Sequence, residues 1–328
     1  MLGAPVYGRL ALQLADDPTL AAAILGDDAS WDVGLRLFGA VHNLTLRGVA
    51  PEALDGGWEP FAHALTAHRD ELTAFVRTQG VQTNETQRCV ALLPCFLTIA
   101  AETGLPLELL ELGPSAGLNL LVDRYAYAYR NGSFGSDTAH LRFDAVERHP
   151  VPAALFETAR AASDNLSQAG FRVRRRLGID LAPVDATTEA GATLLRSFVW
   201  PGREDRLTRL DAAIATLREE PDRPELVRGN YVELLPELLA DRADDAITVV
   251  FQTASTGYLS PEDRVTLRRR LDDAGSDGRP LAWISTRARD EREHEETDGW
   301  ELELRVWPGP ARLAAFVDYH GNWLDWRL

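Results

Sequence analysis

From Tyr7 to about Thr103 the apolar residues recur at helical spacing. Leu10 and Leu14 form one set and Leu20, Ile24 and Leu25 the next, with Asp17-Pro18 breaking the pattern between them. Asp32 is placed to cap a helix carrying Leu35, Phe38, Val41, His42 and Leu46, which ends near Gly48. Glu59 to Gln79 reads as one helical segment through Phe61, Leu65, Leu72, Phe75 and Val76. A further helix is expected from Asn84, with Gln87 three residues on as a reciprocal cap. It presents Cys89, Leu92, Leu93, Phe96 and Ile99 on one side.

From Leu107 the pattern alternates between strand and helix. Leu107 to Leu112 reads as a buried strand and Ser115 to about Tyr127 as a helix, with a short strand at Leu141-Arg142-Phe143. Arg172 to Leu181 is a strand whose end carries Gly178-Ile179-Asp180. Helices are expected over Ala190–Phe198 and Arg203–Leu217. A strand at Leu226-Val227-Arg228 runs into Gly229-Asn230 and a helix through Val232, Leu235 and Leu238. Ala246–Phe251 and Leu281–Ser285 are buried strands, and Pro261 opens a helix to about Ala274. Arg287 to Asp298 reads as a charged, solvated loop. Trp300–Trp307 and Leu313–Tyr319 form a hairpin around Pro308-Gly309-Pro310.

This order predicts an α/β protein: a Rossmann-like, methyltransferase-type, mostly parallel sheet with a C-terminal antiparallel hairpin, preceded by a helical N-terminal cap. The expected boundaries are 1–103 for the cap and 104–328 for the sheet domain, with 128–170 as an insertion.

Composition narrows the partners. The 328 residues carry a net charge of −16, which argues against nucleic acid or an anionic membrane surface. The two cysteines, Cys89 and Cys95, form no C-x-x-C pair and read as buried thiols. No run is long and apolar enough for a membrane helix, and no signal-type segment opens the chain. A cytoplasmic protein acting on a small molecule is the expectation.

The candidate chemistry centres on Leu107 to Leu120, where an apolar strand ends in Glu111 and turns through Gly113-Pro114-Ser115-Ala116-Gly117. One reading is a nucleoside cradle of the kind that S-adenosylmethionine enzymes use. Glu111, Gly113, Ser115, Gly117, Asn119, Asp180 and Asn230 would then hold S-adenosylmethionine, with Asp180 accepting ribose hydroxyls and Asn230 lying near the adenine. Ser115 replaces the usual middle glycine and adds bulk where a ligand must approach backbone. The other reading is a G-x-S-x-G nucleophile elbow, with Ser115 as nucleophile, the late His320 as base, and Asp263 or Asp290 as acid. The helical region before the turn disfavours it, because that fold normally has several strands ahead of the nucleophile. A third possibility is a Rossmann-like protein that binds a ligand without methyl transfer.

Gln252, Thr253 and Tyr258 follow the Ala246–Phe251 strand, where an acceptor would be oriented. The N/D-P-P-Y sequence of amino-methylating enzymes is absent there. Asn84, Glu85 and Arg88 are candidates for a lid over the substrate; the plainer alternative is a helix cap and ion pair. His320 beside Asp318 is a candidate general base, giving His320, Tyr258 and Gln252 as the catalytic set. His294-Glu295-Glu296 lacks a second histidine at metal spacing, so no metal is expected. Arg174-Arg175-Arg176 is a short basic run, solvent-facing or paired with acids.

Four blocks together resemble one known family. They are Leu110 to Leu120, Gln82-Thr83-Asn84-Glu85 with Arg88, Val199-Trp200-Pro201 with Arg206-Leu207, and His320-Gly321-Asn322-Trp323. In this order they resemble an uncharacterised bacterial family, domain of unknown function 2332, over roughly residues 5 to 326. The resemblance implies a likeness to S-adenosylmethionine-dependent methyltransferases and says little about substrate. It also makes Ser115 a trait of the family.

Overall fold

The computed structural model describes residues 5–157, 171–288 and 299–328. Helices α1 (Pro5–Ala15), α2 (Pro18–Leu25), α3 (Val33–Leu46), α4 (Trp58–Ala67), α5 (Arg69–Thr78) and α6 (Cys89–Thr103) precede β1 (Leu107–Leu112). A 3₁₀ segment, Leu118–Arg124, leads to β2 (Ala126–Tyr129), β3 (Gly132–Phe134) and β4 (Arg142–Asp144). Then come β5 (Val173–Asp180), α7 (Glu189–Ser197), α8 (Glu204–Glu219), β6 (Glu225–Arg228), α9 (Tyr231–Ala240) and β7 (Ile247–Gln252). The chain ends with α10 (Pro261–Gly275), β8 (Leu281–Ala288), β9 (Trp300–Val306), β10 (Arg312–Val317) and β11 (Leu324–Trp326). Among the described residues no helix is long and apolar enough to cross a membrane.

Two compact units share the chain. The first takes residues 1–84 and 184–214, and the second takes 85–183 and 215–328. The first unit is helical, with Leu10, Leu37, Val41, Phe61, Leu65, Leu72 and Val76 in its core. Glu59 to Gln79 is two helices, not one, because His68 leaves helical geometry at φ −116° and ψ 25°. Leu65 and Leu72 are seven residues apart, a spacing that suits one helix or two equally well. Asp32 stands at the N-cap of α3 without capping it, and its carboxylate pairs with Arg36 at 3.2 Å.

The second unit is built on an eight-stranded sheet in the order β11-β10-β9-β8-β7-β1-β5-β6. β6, β5, β1, β7 and β8 are parallel, and β9 to β11 continue as an antiparallel meander. The expected hairpin is therefore present and gains a third strand. Every residue of β7 is buried, as befits a parallel strand covered on both faces. One face carries Leu110, Leu112 and Val250, which share a core with Leu235 of α9 and Leu267 and Leu271 of α10. On the other, Phe96 of α6 meets Phe251 edge-on at 5.3 Å. From β1 the order runs through β5 and β6 to one side and through β7 and β8 to the other. The strand order thus reverses at β1, which opens a crevice at the carboxyl ends of β1 and β7.

Helix α6 does not begin at Asn84. Glu85 caps a 3₁₀ turn, Thr86–Arg88, by accepting the Gln87 amide at 3.2 Å, and α6 starts at Cys89. Cys89 to Ala100 is buried without a break, which is the pattern of a helix enclosed on all sides. Pro94 lies inside it and has no amide to give to the carbonyl of Val90. The Tyr129 hydroxyl donates to that carbonyl instead, at 2.7 Å.

Ser115 to Tyr127 is not the expected helix. Only the 3₁₀ segment forms, with non-helical geometry at Leu121, and the chain is extended from Tyr125. The alternation Tyr125-Ala126-Tyr127-Ala128-Tyr129 decides this. The Tyr125 hydroxyl donates to Leu118 O at 2.7 Å and that of Tyr127 to Val122 O at 2.8 Å, so both return to the 3₁₀ segment. β2 sits at the centre of a small second sheet, β3-β2-β4.

The basic run on β5 is fully paired. Arg174 meets Asp245 at 2.7 Å, Arg175 meets Glu225 at 3.3 Å, and the buried Arg176 meets Asp123 at 2.6 Å. Arg287, expected in a loop, lies in β8 and pairs with Glu301 at 2.7 Å. Residues 289–298 of that segment lie outside the described residues.

Removing one partner of the buried Arg176–Asp123 pair strands the other charge. Asp123→Ala should cost about 3–5 kcal/mol in urea unfolding. The double change Arg176→Met with Asp123→Leu should recover most of that loss, because it removes both desolvation costs together.

Candidate active site at the carboxyl end of the sheet

Where the chain leaves β1, hydrogen bonds from several segments hold it. Ser255 Oγ donates to Leu112 O at 2.6 Å. The Gly113 amide donates to Ile179 O at 2.9 Å, and the Gly117 amide to Pro114 O at 2.9 Å. The Ser115 amide donates to Asp180 Oδ2 at 2.9 Å. Ser115 has φ 55°, and Gly113 and Gly117 have φ 72° and 73°. With positive φ at its second residue and not its third, the Pro114–Gly117 turn is of the II′ kind.

Both glycines are also pressed by the protein itself. A Cβ on Gly113 would lie 2.5 Å from that of Ser255, and one on Gly117 would lie 3.1 Å from Leu226 and 3.3 Å from Pro224. Gly178 on the neighbouring strand has Pro114 at 2.5 Å from its Cβ position. Packing and backbone geometry therefore explain these glycines before any ligand is invoked.

Two acids end adjacent strands beside the turn. Glu111 is buried and accepts from Asn119 Nδ2 at 3.1 Å, while Asn119 Oδ1 accepts from Cys89 Sγ at 3.4 Å. Its other oxygen, Oε2, is buried without a hydrogen-bond partner. Burial pushes the Glu111 carboxyl up to about 8 against the pull of Asn119, and the nearby charge of Asp180 adds to the rise. Asp180 accepts the amides of Ser115 and Ala182 on separate oxygens and keeps lone pairs for further donors. Asn230 caps α9, accepting from Val232 N at 2.9 Å and reaching Glu233 at 3.4 Å.

On the far side of β1, Gln252 ends β7. Its Nε2 donates to Ser285 Oγ at 2.7 Å and to Thr286 O at 3.0 Å, and its Oε1 is buried without a partner. The register aligns Glu111 with Phe251, so Gln252 points to the opposite face of the sheet from Glu111. Tyr258 stands half-exposed at the end of a 3₁₀ turn, Ser255–Tyr258. Gln252, Tyr258 and His320 thus come from separate elements.

His320 lies in the turn between β10 and β11, its ring edge-on to Tyr319 at 4.8 Å. Asp318 holds that turn: Oδ1 accepts the amides of His320 and Asn322 and the Asn322 side chain. Gly321, at φ 80°, lets the turn touch helix backbone, since a Cβ there would lie 2.5 Å from Gln87 O. The His320–Trp323 and Gln87–Arg88 segments, remote in sequence, therefore meet. Arg88 donates from Nε to Tyr319 O at 2.9 Å and from Nη1 to Thr253 Oγ1 at 3.2 Å.

Arg88, Thr253 and Tyr319 form part of the wall of a recess of about 320 Å³, counting the space open to solvent. Asp318 also lines it, as do Thr286 and Trp300, to which the sequence assigned no role. Asn84 belongs to the first unit, whereas Glu85 and Arg88 belong to the second. Of the acids considered for a serine triad, Asp263 is engaged with Ser260 at the start of α10, and Asp290 lies outside the described residues. His294-Glu295-Glu296 also lies outside them. Among the described residues no group of three or more His, Cys, Asp or Glu could hold a metal ion.

Together these features define an α/β protein with a candidate ligand site at the point where its parallel strands reverse order. The chain belongs to the family described as an uncharacterized protein conserved in bacteria, domain of unknown function 2332, whose pattern it matches over residues 1–326. No curated protein matches the chain.

Glu111 gives the site a pH signature. Its carboxyl is raised from 4.5 to about 8, so between these values the folded protein keeps a proton that the unfolded chain has released. The associated stability is present below pH 4.5 and is lost as pH rises through about 8, by up to about 1.4 kcal/mol per pH unit. Glu111→Gln should flatten the stability profile between pH 5 and 8 in urea unfolding. Equal slopes in the two proteins would refute the assignment.

Proposed function

We propose that the protein is an S-adenosylmethionine-dependent methyltransferase acting on a small molecule. The observation that carries this reading is the turn after β1, at the reversal of strand order, flanked by Glu111 and Asp180 at the ends of adjacent parallel strands. Dinucleotides and nucleosides bind parallel sheets at such points. The donor set fits in part. Asp180 keeps lone pairs for ribose hydroxyls, and Glu111 Oε2 is a buried oxygen without a hydrogen-bond partner that carries a proton to donate below about pH 8. The glycines weigh less, because their own neighbours account for them, and Asn230 would contribute only what its capping bonds leave free.

When bound, S-adenosylmethionine supplies an electrophilic methyl group on a sulfonium. In this reading Asp180 and the backbone of Gly113, Ser115 and Gly117 hold the nucleoside end, and Glu111 with Asn119 supports the turn from beneath. Gln252 and Thr253, on the next strand end, orient the acceptor. His320 and Tyr258 are the titratable groups available to take a proton from it.

Ser115 favours a second reading, a serine hydrolase, through its positive φ in the turn after a strand, although a 3₁₀ segment and not a helix follows it. Its side chain is buried, which is adverse for a nucleophile.

Calorimetry separates the readings. S-adenosylmethionine and S-adenosylhomocysteine should both bind, and Asp180→Asn should weaken both at least about tenfold, since it removes the charge and keeps an acceptor for the Ser115 amide. No heat at millimolar ligand with folded protein would end the proposal. Binding without methyl release to any acceptor in a broad panel would leave a ligand-binding protein. Labelling of Ser115 by a fluorophosphonate would favour the hydrolase.

A further inference from the structure

Helix α10 carries arginines that the fold leaves without acids. On β5, by contrast, Arg174, Arg175 and Arg176 each meet a carboxylate. Leu267 and Leu271 of α10 are buried in the core shared with β1 and β7. Helical spacing then sets Arg264, Val265, Arg268 and Arg269 on one outward face. All four are exposed, Val265 by 68%. Among the described residues, the side chains of Arg264, Arg268 and Arg269 have no ion pair and no hydrogen bond.

The acids on the same helix do not change this. Asp263 is engaged with Ser260 Oγ at 2.9 Å, and Asp272 pairs with Arg305 at 2.5 Å. Glu262 and Asp273 stand at the border of the face by their spacing. Arg264 and Arg268 are one turn apart, so their like charges repel across the helix surface. Carboxylates laid along the face relieve that repulsion and give each guanidinium a charge-assisted partner. Val265 places an apolar group among the three arginines. Protein–protein interfaces have this composition, enriched in arginine around an apolar centre.

We propose that the outward face of α10 docks an acidic, amphipathic segment of a partner protein, its carboxylates on Arg264, Arg268 and Arg269 and an apolar side chain on Val265. Nucleic acid fits less well, because its dense charge would run past three arginines over a chain of net charge −16. A two-fold pairing with a second copy would set these arginines against themselves. Docking here is independent of methyl transfer, so the test omits S-adenosylmethionine.

Fluorescence anisotropy tests the face on the full-length protein, with a labelled peptide built from Glu-Glu-Leu repeats. The peptide should bind, and raising salt from about 50 to about 300 mM should weaken it at least about tenfold. The same peptide with Gln for Glu should bind at least about tenfold more weakly. Arg268→Glu should lose binding without lowering the melting temperature, because it removes the repulsion between positions 264 and 268. Val265→Ser should weaken the peptide severalfold; lying at an exposed position, it carries the test if the charge reversal does not fold. No binding at millimolar peptide, equal binding of the Gln peptide, unchanged binding in both variants, or tighter binding of single-stranded DNA of the same charge would overturn the proposal. So would sedimentation showing a dimer that Arg268→Glu dissociates, since the face would then belong to a second copy.

Discussion

The geometry of the candidate site depends on how the chain leaves β1. A buried backbone must satisfy its amides and carbonyls, and a sharp turn at a strand end has no ladder to do so. Here the partners come from three other segments. Ile179 and Asp180 on β5 take the amides of Gly113 and Ser115, and Ser255 after β7 covers the carbonyl of Leu112. The turn is thereby tied to both strands that flank β1. Neither neighbour can shift without breaking a bond in the turn, so the mouth of the crevice is fixed by the same contacts that fix the sheet. Holding Ser115 at positive φ costs energy, and the Asp180 contact is what offsets it.

The same accounting explains why Glu111 and Arg88 stand out. Nearly every charged group on β5 has an opposite charge beside it. Glu111 and Arg88 hydrogen-bond neutral partners, and each has one buried polar atom without a hydrogen bond, as Arg176 also does. Burial of this kind costs stability. The two groups feel each other electrostatically, since the charge of Arg88 draws the Glu111 carboxyl downward.

Much of the parallel sheet was legible in the sequence because buried parallel strands are short apolar runs, and β1, β7 and β8 are of that kind. The acid-ending β5 was visible from Gly178-Ile179-Asp180 for the same reason. The small sheet was misread: Tyr125-Ala126-Tyr127-Ala128-Tyr129 has a clean period of two, but the apolar Leu118 to Val122 before it suggested a helix continuing. What corrects that reading is long-range, namely hydroxyls reaching carbonyls of preceding segments. In the site, Glu111, Asp180 and Arg88 could be named from position alone. Their partners could not, because Ser255, Thr286, Trp300 and Tyr319 arrive by tertiary folding and carry no local signal. Gly321, which the sequence offered only as part of the His320–Trp323 block, joins a φ of 80° to a close approach to Gln87 O.

The pairing of Pro94 with Tyr129 imposes an order on how this sequence can change. If position 94 first regains an amide, the Val90 carbonyl acquires its helical partner and the hydroxyl at 129 becomes dispensable. If the hydroxyl is lost first, a buried carbonyl is stranded inside a helix enclosed on all sides. Drift between the two states therefore has a passable direction and an impassable one. Residues 94 and 129, thirty-five positions apart, thus bear on the same carbonyl, that of Val90.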